Sequence, residues 1–81
     1  MNVTVRLFAA IRQQAGWREK EIQLVDGATV ASLFATLTAE QPDFDLSSRS
    51  VYAAVNQQYV QQDAVLTDGD EVAIFPPVSG G

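Results

Sequence analysis

The spacing of apolar residues changes once along this chain, and that change limits the folds open to it. Between positions 30 and 37 four apolar residues fall at i, i+3, i+4 and i+7: Val30, Leu33, Phe34 and Leu37. This stripe is typical of an amphipathic helix. Thr29 is placed to cap the start of the helix, and Pro42 marks a point by which it has ended.

The remaining segments favour strands. Residues 2–8 alternate, with Val3, Val5 and Leu7 on one face and Phe8 on the other, and residues 19–25 alternate again. "VYAAVN" and the region around Tyr59 and Val60 predict two short strands joined by a turn at 56–58. A turn at 68–70 precedes a last strand whose inward residues are Val72 and Ile74. Between the first two strands, "AAIRQQAG" predicts a short helical turn with a left-handed cap at Gly16.

This order of elements predicts an α+β fold in which one main helix covers one face of a mixed sheet. The crossover from the first strand pair through the helix requires the first and last strands to lie parallel and adjacent. That arrangement is the ubiquitin-like β-grasp. We expect the β-grasp domain to span 1–75 and an extended C-terminal tail to span 76–81.

Composition excludes several kinds of site. The 81 residues include no cysteine and no histidine, so no thiolate and no imidazole is available for catalysis or metal binding. The net charge is −5 and the basic residues are dispersed, which argues against a nucleic-acid partner. The "DGDE" run lacks the further ligands of a calcium loop and predicts an acidic turn. We expect no bound cofactor or metal.

The start of the chain lacks the features of a signal peptide, and no apolar run approaches the ~20 residues that span a bilayer. We therefore expect a cytoplasmic protein without a membrane partner.

Two aromatic residues are predicted to lie on the uncovered side of the sheet. Alternation places Phe8 and Phe75 opposite the core faces of the first and last strands, so they should meet where the tail leaves the sheet. Exposed aromatic patches mark contact surfaces. A bulge that returns one ring to the core is the alternative. Arg12, on the short helix, is either an interface residue or a solvated surface residue.

The tail "PPVSGG" follows the last predicted strand, and the fold alone does not explain its composition. Six residues can extend roughly 20 Å at ~3.3 Å per residue, and Pro76 and Pro77 favour a stiff, extended start. Gly80 and Gly81 have no Cβ, so the terminal carboxylate can enter a narrow channel. That carboxylate reacts only after activation, which a partner would have to supply. A frayed end or a truncation scar is the alternative.

The residues "VRLFAAIRQQAG", "AAVNQQYV" and above all "LTDGDEVAIFPPVSGG" resemble the ubiquitin-like sulfur carriers, the family that includes the small subunits of molybdopterin synthase. The resemblance implies that an adenylating enzyme activates Gly81 with ATP and Mg²⁺. A sulfur donor protein then forms a thiocarboxylate, which the large subunit of molybdopterin synthase uses to build molybdopterin from cyclic pyranopterin monophosphate. It further implies a heterotetramer with two small subunits.

The same resemblance assigns partner contacts to Phe8, Arg12, Tyr59 and Phe75. We expect Pro76 and Pro77, at the stiff start of the tail, to contact a partner as well. This sequence departs from the family at Gln57, where glycine is common, and at Gln13, where an acidic residue is common. Three alternatives stay open. They are a carrier for thiamine, cysteine or tRNA thiolation, a ubiquitin-like protein modifier, and a plain β-grasp binding module.

Overall fold

The computed structural model describes residues 1–42, 44 and 51–76. Its elements are five strands and two helices in the order β1 (Asn2–Leu7), α1 (Ala9–Ala15), β2 (Glu19–Gln23), α2 (Val30–Glu40), β3 (Tyr52–Val55), β4 (Gln58–Val60) and β5 (Glu71–Phe75). No helix within these residues is both long and apolar enough to cross a membrane.

The five strands form one mixed sheet in the order β2-β1-β5-β3-β4. β1 and β5 are parallel neighbours, with Val5 opposite Val72 and Leu7 opposite Ile74. The other three pairings are antiparallel. The predicted β-grasp arrangement is therefore confirmed, and β5 lies in the middle of the sheet.

One face of the sheet carries the core. All four residues of the predicted helical stripe are buried, and they join the inward residues of β1 and β5 in one hydrophobic cluster. Thr29 caps α2 as predicted, because its hydroxyl accepts a hydrogen bond from the Ser32 amide at 3.2 Å. α2 ends at Glu40, two residues before Pro42.

The short helix α1 also ends as the sequence predicts. Gly16 adopts φ 83°, in the left-handed region, and its amide donates to the Arg12 carbonyl at 3.0 Å. Since the left-handed conformation is open to glycine without a Cβ clash, the chain can reverse there and enter β2.

Strand ends differ from the predictions by one or two residues. β1 stops at Leu7 because the carbonyl of Phe8 already accepts the Arg12 amide at 3.4 Å and starts α1. β2 stops at Gln23, two residues early. The β3–β4 turn consists of Asn56 and Gln57, both with positive φ, and β4 begins at Gln58. The predicted division into a domain of 1–75 and a tail of 76–81 stays a prediction, since 77–81 lie outside the described residues.

Candidate protein-interaction site

Three aromatic side chains gather on the uncovered face of the sheet. Phe75 lies with its ring centroid 5.6 Å from that of Tyr59 and 6.1 Å from that of Tyr52, in tilted arrangements that aromatic pairs prefer. Tyr59 is 75% exposed and Tyr52 51%, whereas Phe75 is half-buried between them. These three residues are called the aromatic surface below. They border a pocket of about 260 Å³ together with Ala53 and Val60.

Strand register explains why these rings meet. Tyr52 on β3 pairs directly with Phe75 on β5, and Tyr59 on β4 pairs with Ala54 on the same face. Directly paired residues of antiparallel strands have neighbouring side chains. The small side chain of Ala54 leaves room for the rings of Tyr52 and Tyr59. Exposed aromatic area of this kind is enriched in protein interfaces.

Phe8 lies at the same end of the sheet but in a different pocket. Its amide donates to the Ile74 carbonyl at 3.1 Å, so the ends of β1 and β5 coincide as predicted. Its side chain is 45% exposed and borders a pocket of about 310 Å³. This arginine pocket is lined by Arg6, Leu7, Phe8, Arg12, Arg18 and Glu19. The aromatic partners of Phe75 are therefore the two tyrosines, and Phe8 extends the candidate site to the other side of β5.

The start of β5 is fixed by a buried carboxylate. Asp70 is 8% exposed, and its carboxylate accepts hydrogen bonds from the Thr67 amide at 2.8 Å, the Asn56 amide group at 2.9 Å and the Thr67 hydroxyl at 3.0 Å. Burial alone would raise the pKa of Asp70, but the hydrogen bonds outweigh burial and hold this pKa below its ordinary value. Asn56 also accepts from the Glu71 amide at 3.0 Å, which links the β3–β4 turn to β5.

The acidic turn therefore serves the fold. Asp68 accepts from the Asn2 amide at 2.7 Å, and the Gly69 amide donates to the Asn2 carbonyl at 2.8 Å. Within the residues that the structure describes, no three acidic side chains lie together as a metal site would require. The carboxylates of Asp68 and Asp70 tie the start of β1 and the β3–β4 turn to the segment that leads into β5.

The structure places four of the predicted contact residues at one end of the sheet. Tyr59 and Phe75 lie in the aromatic surface, and Phe8 and Arg12 line the arginine pocket. Pro76 is half-buried directly after β5. Pro77, Gly80 and Gly81 lie outside the described residues.

Two residues of the candidate site were not predicted from the sequence. Tyr52 carries a signal that was available, because the alternation in "VYAAVN" places it on the outer face together with Ala54. Arg18 carries no such signal, since the pairing of β1 with β2 is what brings it to the lining of the pocket that Arg12 borders.

Comparison with known proteins extends this description along the whole chain. The model of the ThiS family matches residues 5–81. Molybdopterin synthase sulfur carrier subunits are similar over the full length: that of Chlamydomonas reinhardtii is 43% identical with all of both chains covered, and that of Escherichia coli is 41% identical with 98% of this chain and 99% of the relative covered. Small archaeal modifier protein 3 of Haloferax volcanii is 32% identical, again over both whole chains.

Solved structures give the same fold. The crystal structure of SAMP1 from Haloferax volcanii covers both chains completely with a TM-score of 0.86 at 26% identity. A chain in the complex of subunits 1 and 2 of the molybdopterin-converting factor from Helicobacter pylori covers both chains completely with a TM-score of 0.70, also at 26% identity. Sequence and structure agree that this chain belongs to the ThiS family, whose ubiquitin-like β-grasp fold it has.

Proposed function

We propose that this protein is the sulfur carrier subunit of a molybdopterin synthase. The observation that carries the proposal is the full-length similarity to sulfur carrier subunits of that enzyme, at 43% and 41% identity. The family match runs through Gly81, so it includes the terminal glycine pair. The absence of cysteine from the sequence agrees with this role, because sulfur would then be carried on the terminal carboxylate.

The chemistry takes place at Gly81. A carboxylate oxygen attacks the α-phosphate of Mg-ATP on an adenylating enzyme, which releases pyrophosphate and leaves an acyl adenylate. A persulfide sulfur of the donor protein attacks the acyl carbon and displaces AMP, which leaves an acyl disulfide. A second thiol then attacks the donor's sulfur in that sulfur–sulfur bond, which releases the thiocarboxylate and leaves a disulfide between the two thiols. The large subunit of the synthase then takes this sulfur for the dithiolene. Gly80 and Gly81 contribute a peptide without side chains that fits a narrow channel.

The described residues contribute the docking surface. The aromatic surface and Phe8 flank the end of β5, from which the tail leaves the sheet. A large subunit that accepts the tail therefore covers exposed aromatic rings at the same time. Because aromatic anchors dominate the binding energy of many interfaces, we expect Phe75 and Tyr59 to carry a large share of the affinity.

Intact mass spectrometry tests the carrier role. The protein is incubated with the adenylating enzyme, Mg-ATP and a sulfur donor, and fragmentation locates any change. The expected result is one oxygen-for-sulfur exchange at Gly81. The matched control is the variant that lacks Gly81, which keeps the described fold intact and is expected to yield no thiocarboxylate. Sulfur transfer by the deletion variant, or an unchanged terminus with an enzyme that activates a known carrier, would refute the proposal.

A second function is favoured by one specific observation, the 32% identity to a small archaeal modifier protein. In that role Gly81 would form an isopeptide bond with lysines of other proteins. Expression of a tagged protein in its own host distinguishes the two functions. Higher-mass conjugates that disappear with deletion of Gly81 would support the modifier role, and their absence alongside a detectable thiocarboxylate would leave the carrier role alone.

A further inference from the structure

Three of the five basic residues of this acidic chain line a single pocket. Arg6, Arg12 and Arg18 surround the arginine pocket at the corner where β1, α1 and β2 meet. Among the residues that the structure describes, Glu19 is the one acidic residue of its lining. In a protein with a net charge of −5, this corner is a local concentration of positive charge.

The three arginines differ in how their charge is compensated. Arg6 forms ion pairs with Glu19 at 2.8 Å and with Glu71 at 3.4 Å, so its charge is balanced within the fold. Arg12 and Arg18 make no ion pair with any residue that the structure describes. Two exposed guanidinium groups are therefore available to a ligand.

Backbone contacts fix the places from which these two side chains extend. The carbonyl of Arg18 accepts the Leu7 amide at 2.9 Å, and the carbonyl of Arg12 accepts the Gly16 amide at 3.0 Å. A second pocket of about 440 Å³ is bordered by the same two arginines together with Gln13, Gly16 and Trp17. Arg12 and Arg18 thus stand between two open pockets on a rigid corner.

We propose that Arg12 and Arg18 form a clamp for a carboxylate side chain on the surface of the large subunit. The clamp rests on the function proposed above. The resemblance gives Arg12 a place in the interface, whereas Arg18 and the joint action of the pair follow from the structure alone. Guanidinium groups match a carboxylate through paired hydrogen bonds, and exposed Phe8 beside them adds apolar contact.

Charge and position favour a protein carboxylate as the occupant. The net charge of −5 repels a polyanion such as a nucleic acid, but a single carboxylate on a larger partner surface meets mainly the local positive charge. The clamp also lies at the end of β1, next to the end of β5, because the Phe8 amide binds the Ile74 carbonyl. A partner that holds the tail and the aromatic surface therefore reaches the clamp as part of the same interface.

The test is the affinity of the full-length protein for the large subunit, measured by titration calorimetry at low and at high salt. The variants are Arg18→Gln, Arg12→Gln and Arg18→Lys, with Lys20→Gln as the matched control. Lys20 carries the same charge, lies over the Trp17 ring at 4.8 Å and lines neither pocket. Urea unfolding of each variant confirms that it is folded under the binding conditions.

We expect Arg18→Gln and Arg12→Gln each to weaken binding about tenfold and to reduce its salt dependence, since each removes a charge-assisted pair. Arg18→Lys should retain part of the affinity, because the ammonium group keeps the charge and loses the paired geometry. Lys20→Gln should change affinity less than about twofold. An equal effect of Lys20→Gln and Arg18→Gln would overturn the clamp, because net charge would then explain both.

A double-mutant cycle identifies the occupant. Surface Asp and Glu residues of the large subunit are replaced one at a time by Asn and Gln, and each variant is titrated with the wild-type protein and with Arg18→Gln. One of these substitutions should abolish the effect of Arg18→Gln. If none does, the carboxylate clamp is wrong. Failure of the wild-type protein to bind the large subunit would instead refute the proposed function, and an unchanged affinity of Arg18→Gln beside a binding wild type refutes the clamp alone.

Discussion

Replacing Phe75 with alanine separates the role of the aromatic surface in binding from its role in stability. Full burial of a phenylalanine side chain contributes about 1.5–3 kcal/mol, so the half-buried ring of Phe75 accounts for about 1 kcal/mol. The two tilted contacts with Tyr52 and Tyr59 add about 1 kcal/mol in total. We therefore expect Phe75→Ala to lower the free energy of unfolding by about 2 kcal/mol.

A core phenylalanine provides the matched control. Phe34 is 6% exposed and packs in the main cluster, so Phe34→Ala should lower the free energy of unfolding by about 4 kcal/mol. Urea unfolding followed by fluorescence measures both variants, since Trp17 is the sole tryptophan and packs edge-on against Phe44 with centroids 6.4 Å apart. A domain of this length has a stability of about 4–12 kcal/mol, which leaves Phe75→Ala folded.

For affinity to the large subunit the order should be reversed: Phe75→Ala should lose more affinity than Phe34→Ala, although it loses less stability. Loss of an aromatic anchor at the centre of an interface costs at least about 2 kcal/mol, a roughly thirtyfold weaker Kd for Phe75→Ala. Phe34 belongs to α2 and is buried on the opposite face of the sheet, so the folded fraction of Phe34→Ala should bind with a Kd within about threefold of the wild type. Equal losses of stability in the two variants, with the Kd of Phe75→Ala unchanged, would refute the reasoning and assign Phe75 to the core.

Two further predictions concern the turns that support β5. Asp70→Ala leaves the donors of Thr67 and Asn56 without their acceptor and should lower the free energy of unfolding by about 3 kcal/mol in urea titrations. The pKa of Asp70 is depressed in the folded state, so its contribution to the free energy of unfolding should be complete above the unfolded pKa of about 3.9. This contribution should be lost as the pH falls through the folded pKa. The difference in free energy of unfolding between the wild type and Asp70→Ala should therefore become smaller in acid. Gln57→Gly should raise the free energy of unfolding by about 0.5 kcal/mol, since Gln57 has φ 72° and glycine removes that strain at some entropic cost. Gln58→Gly, one residue later in β4, should be destabilising in the same assay, and stabilisation by both changes would contradict the strain argument.

The sequence predicts most of the fold because its signals are local. The alternation in β1 and β5 and the apolar stripe of α2 each mark the buried face of a single element. Residues close together in the sequence are enough to identify that face. Thr29 and Gly16 mark helix ends through short hydrogen bonds, so they too are readable. The family resemblance adds Tyr59 as a contact position and the sulfur chemistry expected at Gly81, which no local rule supplies.

The missing parts of the site depend on pairings between distant segments. Tyr52 and Phe75 are 23 residues apart in the sequence and meet only because β3 pairs with β5 in one particular register. A shift of that register by one residue would turn Tyr52 to the other face of the sheet. Arg18 lines the same two pockets as Arg12 because β2 returns along β1 after the α1 reversal. Phe8 was expected beside Phe75, but the rings beside Phe75 are those of Tyr52 on β3 and Tyr59 on β4.

The parallel pairing of β1 and β5 determines how the protein resists force. The tail continues from β5, a strand with neighbours on both sides, so a force applied to the tail acts first on β5. Tension between the two chain ends acts along both strands in opposite directions, because one end precedes β1 and the other follows β5. The hydrogen bonds between these two strands are then loaded together in shear, so they cannot break one after another from one end. A force applied between the two chain ends should therefore move the domain as a rigid body before the sheet opens.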